Sequence, residues 1–197
     1  LLASSAASDV YKRQGLPGEE DSDIEEMIAM IHRIREKMDL AGNKGELVIS
    51  VNAFVPKPFT PYQWEPLCSL QVLKKRFKIL QEAFKKNRRI KLITESLKET
   101  VVQAVLARGD RQVGELLLEA HLVGKSLKQV FKQHDKDLEE YACRTLAIGQ
   151  KLPWQHLDMG FTEAYLAAEL QRSGEGRFTP MCFDGCRRCG VCGDKNA

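Results

Sequence analysis

The sequence lacks any long apolar run. Its 197 residues contain no stretch of about 18 or more consecutive apolar residues, the length that a helix needs to cross a bilayer. A membrane-spanning helix is therefore excluded. A strong net charge is missing as well, because 30 Lys and Arg stand against 27 Asp and Glu, for a formal charge of +3. That balance by itself gives no reason to expect nucleic acid as a partner.

A secretory signal peptide and a disulfide framework are also missing. No segment of signal-peptide type opens these residues, and two of the six cysteines, Cys68 and Cys143, stand far from the other four. We therefore expect a protein of the reducing cytoplasm. The composition, 43% hydrophobic and 29% charged, is typical of a globular protein of one or two domains.

Residues 1–14, LLASSAASDVYKRQ, show neither helical nor strand periodicity. DVYKRQ resembles one reading frame of a transposon end that is used in shotgun sequencing libraries. We interpret this segment as a sequencing or cloning scar, expect it to be disordered, and exclude it from the fold. A disordered natural N-terminus is the alternative, and in both cases the fold is expected to begin at Gly15.

A helix and a strand follow. Ser22 and Glu25 fit a capping box, which predicts a helix that begins near Asp23 and ends near Gly42. Its apolar residues recur at steps of three and four, as an amphipathic helix requires: Ile24, Met27, Ile28, Ile31, Ile34 and Met38. Residues 46–55, ELVISVNAFV, are apolar on both faces and predict a strand of a parallel sheet. Ser50 and Asn52 lie on one face of this strand. Their polar groups are expected either to contact a ligand or to form hydrogen bonds within the core.

A mainly helical region comes next. Pro66 is expected to open a helix, RIKLIT at 89–94 predicts a short strand, and further helices are predicted at 96–107, 111–123, 135–147 and 162–172, the last one capped by Thr162. Nine basic residues fall within eighteen positions and form either a solvated helix face or a contact for an RNA backbone: Lys74, Lys75, Arg76, Lys78, Lys85, Lys86, Arg88, Arg89 and Lys91.

His156 and Asp158, in PWQHLDMG, bring two proton-transferring side chains into one short segment. An acid/base pair is one interpretation. A packing role for Trp154 and His156 against the last helix is the favoured one, because residues two apart in a loop or strand need not meet.

The motifs, taken in order, carry a resemblance. They are GLPGEEDSDIEEMI, VISVNAFVPKPFTPYQWEP, AVLARGD at 104–110, LPWQHLDMG at 152–160 and the tail CFDGCRRCGVC. This succession resembles the late part of a radical S-adenosylmethionine barrel, and most of all the uncharacterised iron–sulfur oxidoreductases that often carry a cobalamin-binding domain before the barrel. The likeness covers nearly everything after residue 14.

The resemblance implies a fold of three parts. Residues 15–64 are expected to be an α/β barrel remnant of one helix and one parallel strand, residues 65–177 a mainly α-helical extension, and residues 178–197 a Cys-rich tail. The N-terminal half of the barrel is then missing, and we expect a C-terminal fragment. Since a lone parallel strand has two unpaired edges, the barrel remnant is expected to be poorly stable.

The resemblance also implies a chemistry. In that family three cysteines near the start of the barrel hold a [4Fe–4S] cluster, S-adenosylmethionine binds the fourth iron, and one electron cleaves it to a 5′-deoxyadenosyl radical. No cysteine precedes Cys68, so the catalytic cluster cysteines are expected upstream of this chain, which alone is expected to be inactive. The substrate stays unknown, and cobalamin is a further cofactor that the resemblance allows.

Binding residues can be carried over from the family by position. The side of S-adenosylmethionine or substrate would be lined by Gly15, Leu16, Pro17, Gly18, Glu19, Asn52, Phe54 and Val55. The alternative is that GLPGE only forms a tight turn between a strand and a helix.

Four cysteines, Cys182, Cys186, Cys189 and Cys192, crowd the tail. Because they follow the barrel, they predict a second metal site and not the radical centre. Four thiolates can enclose Zn²⁺ or hold an auxiliary [4Fe–4S] cluster; a disulfide or a disordered tail with free thiols stays open. The rival interpretation of the whole chain is a non-enzymatic, basic helical module whose zinc-clipped tail helps to bind RNA or a protein partner.

Overall fold

The computed structural model describes residues 8–192, which form a mixed α/β structure. Its strands are β1 (Ser8–Gln14), β2 (Leu47–Ala53) and β3 (Ile90–Thr94). Its helices are α1 (Asp21–Leu40), α2 (Leu70–Phe84), α3 (Leu97–Arg108), α4 (Arg111–Val123), α5 (Leu127–Gln133), α6 (Leu138–Cys143) and α7 (Glu163–Gly174), with a 3₁₀ turn at Pro61–Trp64. No helix within residues 8–192 is both long enough and apolar enough to cross a membrane.

The chain divides into two compact units. Among residues 8–192, the first unit contains those up to Phe54 together with Cys68–Thr100, and the second contains Val55–Leu67 and those from Val101 onward. This grouping differs from the predicted boundaries at residues 64 and 177. The physical reason is strand pairing: β3 pairs with β2, so the segment that carries α2 and β3 belongs with the sheet.

The sheet has three parallel strands in the order β1-β2-β3. The expectation of one unpaired strand is therefore wrong, because β2 is central, with Ala53 aligned with Gln14 of β1 and Leu47 aligned with Ile90 of β3. Unpaired backbone groups along both edges of a buried strand are costly. The chain segments before α1 and after α2 supply the missing partners.

Residues 8–14 form β1, so the expected disorder does not hold for them. Residues 1–7 lie outside the described residues. The interpretation of residues 1–14 as a cloning scar concerns their origin and stays a prediction.

Helix α1 begins two residues before the predicted start. The cap is formed by Glu20, whose backbone N–H donates to Asp23 Oδ2 at 2.7 Å, and not by Ser22 and Glu25. The loop before α1 changes direction at Gly18, which has a φ of +81°, so the helix can start at Asp21. α1 contacts α2 through the His32 and Phe84 rings, whose centroids are 5.5 Å apart.

One face of β2 is buried and the other is half-buried. Leu47, Ile49, Val51 and Ala53 are buried, whereas Val48, Ser50 and Asn52 between them are half-buried. Since α1 and α2 contact each other, both helices lie on the same face of the sheet. The half-buried face carries the polar side chains of Ser50 and Asn52.

The helices of the second unit follow the sequence prediction in part. Thr162 caps α7 as predicted, accepting a hydrogen bond from the Tyr165 N–H. The helix predicted at 135–147 is only α6, and α2, in the first unit, begins after Ser69 instead of at Pro66. The unit has a core of Trp64, Leu146, Leu152, Trp154 and Leu166.

Candidate functional site

The loop that follows β1 lies beside the carboxyl end of β2. The Phe54 N–H donates to the Gln14 carbonyl oxygen at 2.7 Å, and Asn52 is aligned with Arg13. Gly15–Glu19, Asn52 and Phe54, all predicted as binding residues, are thus gathered at one edge of the sheet. Val55, predicted with them, is buried and belongs to the second unit.

Gly15 is required by its surroundings. Its φ is +83°, and a Cβ atom there would lie 2.7 Å from Cys68 Cβ and 3.0 Å from Leu73 Cδ2. Its backbone N–H donates to Glu19 Oε2 at 2.5 Å, which closes the loop on itself. Gly18 also has a positive φ, but open space surrounds it.

Arg76 of α2 holds this loop in place. Its Nη1 donates to Glu19 Oε2 at 2.6 Å and its Nη2 donates to the Glu19 carbonyl oxygen at 2.7 Å. Its Nε lies 3.4 Å from Asp21 Oδ1. The Arg76 and Glu19 side chains are only 6% and 10% exposed, so this is a buried ion pair.

In the sequence Arg76 is one of nine clustered basic residues, and that cluster gave no sign of this role. A signal was available, because Arg76 lies on the buried stripe of α2 among Leu73, Phe77, Leu80 and Phe84. A charged residue on the apolar face of a helix needs a partner. The identity of that partner, 57 positions away, could not be read from local spacing.

Burial governs the titration of the loop. Desolvation raises the pKa of Glu19, and the Gly15 N–H and the Arg76 guanidinium oppose that shift. Burial likewise raises the pKa of the Cys68 thiol, with Arg76 opposing. The Glu19 carboxylate is therefore occupied by its contacts with Gly15 and Arg76. Leu16, Pro17 and Gly18 are exposed and can contact a ligand.

The cysteine tail is organised around Arg188. Its Nε donates to Cys186 Sγ at 3.2 Å, and its Nη2 donates to the carbonyl oxygens of Pro180 and Met181 at 2.9 Å. Hydrogen bonds from Arg188 lower the pKa of Cys186 to about 7. Cys186 is buried, Cys189 is half-buried, and Cys182 and Cys192 are exposed.

The donor set of the tail fits a thiolate-bound centre in its chemistry. None of the four tail cysteines forms a disulfide with a described residue, and the pKa of Cys182 is raised by hydrogen bonds with Cys186 and with Cys192. Within residues 8–192, however, no three Cys, His, Asp or Glu side chains converge as a metal site requires. Cys189 is fixed by its backbone, because its carbonyl oxygen accepts from the Thr162 N–H at 3.0 Å.

Two motifs of the second unit, TPYQW and LPWQHLDMG, meet in space. Trp154 Nε1 donates to Gln63 Oε1 at 2.8 Å, and the Leu146 N–H donates to the Trp64 carbonyl oxygen at 3.0 Å. This contact was not predicted, because about ninety residues separate the two motifs and no local signal pairs them.

His156 and Asp158 are held by separate turns. His156 Nδ1 lies 3.0 Å from the Pro153 carbonyl oxygen, and Asp158 Oδ1 accepts from the Gly160 N–H at 2.7 Å. These hydrogen bonds do not join the two side chains to each other, so the structure gives no sign of an acid/base pair.

The basic residues after position 73 divide into two groups. Four of the nine form ion pairs: Lys75 and Arg76 with Asp21, Lys85 with Glu82, and Arg89 with Asp39. The exposed remainder that the described ion pairs do not include consists of Lys74, Lys78, Lys86, Arg88 and Lys91.

Comparison with known proteins finds one distant likeness. Over 108 residues, 55% of this chain, it is 32% identical to an uncharacterised protein of Methanocaldococcus jannaschii. The matched part spans 22% of the length of that protein. No family model matches the chain, and no solved structure matches it.

Proposed function

We propose that this chain is the C-terminal part of a radical S-adenosylmethionine iron–sulfur oxidoreductase. Gly15–Glu19, Asn52, Phe54 and Val55 then belong to the side that faces S-adenosylmethionine or the substrate. The radical cluster and its cysteines belong to the remainder of the parent enzyme, and the substrate is open. The matched segment is 22% of the length of the archaeal protein. This supports the proposal that the chain is one part of a larger protein.

One observation carries the proposal: the GLPGE loop and the end of the next strand lie together at the carboxyl edge of a parallel sheet. The Gln14–Phe54 hydrogen bond joins them, and the strands follow one another in sequence order with α1 and α2 on one face. Barrels of alternating strands and helices use this order and build their sites at that edge. Exposed Leu16, Pro17 and Gly18 would contact the ligand, and Arg76 would keep the loop in position.

The tail would hold a second centre on Cys182, Cys186, Cys189 and Cys192. Arg188 supports this assignment, because a guanidinium that favours the Cys186 thiolate also offsets the negative charge of a thiolate-bound centre. When bound, an iron–sulfur cluster supplies electron transfer, whereas Zn²⁺ supplies a structural clip. We place the protein in the cytoplasm, where thiols stay reduced.

The deciding experiment compares this chain with the same chain extended by the reading frame that precedes it in its source DNA. Both are reconstituted anaerobically with iron and sulfide, supplied with S-adenosylmethionine and a reductant, and assayed for 5′-deoxyadenosine against a control without protein. We expect formation only by the extended protein, with a lower yield for its Asn52→Ala variant. No formation by either protein contradicts the proposal. Formation by the short chain, abolished by Cys186→Ala, places the radical centre in the tail instead.

The RNA-binding module remains the rival, and the exposed basic residues Lys74, Lys78, Lys86, Arg88 and Lys91 favour it. Binding of single-stranded RNA should then weaken steeply with salt. Lys74→Glu combined with Lys78→Glu should weaken it further, while Lys125→Glu, an exposed lysine of the second unit, serves as the matched control. RNA binding with no 5′-deoxyadenosine from the extended protein would favour the rival.

A further inference from the structure

A cavity of about 300 Å³ opens in the second unit between the segment before the 3₁₀ turn and residues 154–166. Its lining includes Phe59, Gln63, Trp154 and Leu166, so it forms where the motifs TPYQW and LPWQHLDMG meet. The volume lies at the lower end of the range for small-molecule sites, which is about 300–1,000 Å³.

Gln63 fixes one polar group of the cavity lining. The residue is 4% exposed, and its Oε1 accepts from Trp154 Nε1 at 2.8 Å and from the Phe59 N–H at 3.2 Å. Its amide NH₂ group makes no hydrogen bond with any described residue. This nitrogen is not among the buried side-chain atoms that lack a partner, so it is accessible and can donate to an acceptor on a ligand in the cavity.

Most of the other lining residues are apolar, and one of them, Phe59, has a strained backbone. Phe59 has a φ of +59°, a conformation that costs a non-glycine residue energy and that is common at ligand sites; the hydrogen bond to Gln63 holds it there. Leu157, Met159 and Phe161 also line the cavity, yet they are 53%, 54% and 43% exposed. These large apolar side chains line one cavity and are in contact with water, so the apolar part of a ligand can cover them.

The charged groups of the cavity are of one sign. Asp158 and Glu163 contribute carboxylates, and the described lining contains no Lys, Arg or His. Glu163 is held in position because its Oε1 accepts from the Gly149 N–H at 3.0 Å and its Oε2 accepts from Gln155 Nε2 at 2.8 Å. A phosphate or carboxylate ligand would meet two negative charges without a counter-charge, whereas a cation is attracted by both carboxylates and by the aromatic faces.

We propose that this cavity binds a small organic amine: an apolar body packs against Phe59, Met159 and Phe161, the ammonium group faces Asp158 and Glu163, and a hydrogen-bond acceptor on the ligand meets the amide of Gln63. The site does not depend on the function proposed above, since all its residues lie in the second unit and none of them is a cysteine.

The test uses the complete reduced chain and three probes of similar shape: phenethylamine, 2-phenylethanol and 3-phenylpropanoate. The chain has two tryptophans, so two indole N–H resonances report on Trp64 and Trp154, and the Trp154→Phe variant assigns them. We expect phenethylamine to shift the Trp154 resonance saturably and to leave the Trp64 resonance in place. The alcohol should bind more weakly and the carboxylate weakest, because the charge of the probe is the main difference among the three.

One variant and one control test whether the carboxylate of Asp158 binds the ammonium group. Asp158→Asn keeps an oxygen that can accept from Gly160 but removes the negative charge, and we expect it to weaken phenethylamine binding by about tenfold, in line with the loss of one charge-assisted contact. Glu140→Gln, an exposed carboxylate of α6 outside the cavity, should leave the affinity unchanged. An unshifted Trp64 resonance shows that a variant is folded. The proposal is overturned if no probe binds saturably, if the carboxylate binds as well as the amine, or if a folded Asp158→Asn variant binds phenethylamine like the unmodified protein.

Discussion

Arg76 Nη1 lies 2.6 Å from Glu19 Oε2 and joins the middle of α2 to the loop that follows β1. Both side chains are almost fully buried, and the same guanidinium also bonds the Glu19 backbone. The candidate binding loop is thus held by one residue that is distant in sequence. Contacts within the loop, such as the Gly15 N–H to Glu19 Oε2 hydrogen bond, act together with this pair.

Loss of this pair should destabilise the first unit strongly. Removing one partner of a buried ion pair leaves the other charge uncompensated, which typically costs about 3–5 kcal/mol. We therefore expect Arg76→Ala to lower the free energy of unfolding, measured by urea denaturation, by about 3 kcal/mol or more. Lys75→Ala is the matched control, because the Lys75–Asp21 pair is 60% and 51% exposed and should contribute less than about 1 kcal/mol. Equal effects of the two substitutions would show that Arg76 is not paired as described.

Gly15 and Gly18 should respond differently to alanine. Both require a positive φ, which costs an alanine about 1–2 kcal/mol, but only at Gly15 would the new Cβ meet Cys68 at 2.7 Å. Crowding of that kind adds about 1–3 kcal/mol. Gly15→Ala should therefore lower the urea midpoint clearly more than Gly18→Ala, whereas equal midpoints would mean that Cys68 does not pack against the loop.

The ionisation of Cys68 should report on the same loop. Burial raises the pKa of this thiol, the negative charge of Glu19 adds to the rise, and Arg76 opposes it. Glu19→Gln removes the negative charge and should move the pH midpoint of Cys68 alkylation downward, toward the ordinary thiol value, as mapped by mass spectrometry of the labelled peptide. Glu20→Gln, a neighbouring exposed carboxylate, should leave the midpoint in place. An upward shift for Glu19→Gln would contradict the described geometry.

Hydrogen exchange should separate the strands. β2 is central and its buried residues Ile49 and Val51 are 0% exposed, so its amides should open at higher free energies than those of β1, which has β2 as its described neighbour. The lone strand expected from the sequence would instead exchange rapidly. Faster amide exchange in Ile49 and Val51 than in residues 12–14 would show that β2 is not the protected central strand described above.

Local signals in the sequence were sufficient for part of the fold. The strand at RIKLIT and the Thr162 cap of α7 follow from propensity and capping, which act within a few residues. Three interactions could not be predicted from such signals: the Arg76–Glu19 ion pair, the Gln63–Trp154 hydrogen bond and the pairing of β1 with β2. Each joins segments that are distant in sequence. β1 was not predicted for a second reason, because residues 1–14 were interpreted as a cloning scar and excluded from the fold.

The tail provides the last prediction. Metal binding to cysteine-rich peptides contributes on the order of 10 kcal/mol at neutral pH, enough to offset the entropy of ordering a short loop at about 1–2 kcal/mol per residue. Anaerobically purified protein should therefore carry one metal centre, which metal analysis and the absorbance spectrum identify. Brown protein with iron and sulfide indicates a cluster, and colourless protein with stoichiometric zinc indicates a clip.

The variants of the tail refine this outcome. Cys186 is buried and bonded by Arg188, and Cys189 is anchored to Thr162, so Cys186→Ala and Cys189→Ala should lose the centre. Cys192 is exposed near the end of the described chain, and Cys192→Ala should retain part of an iron–sulfur cluster, since an external ligand can replace one corner, but little zinc. Cys143→Ala, outside the tail, is the control and should keep the full metal content. Protein without metal, in which all four tail thiols titrate freely, would refute the second metal centre. Arg188 would then have a structural role only, because it joins Cys186 to the carbonyl groups of Pro180 and Met181.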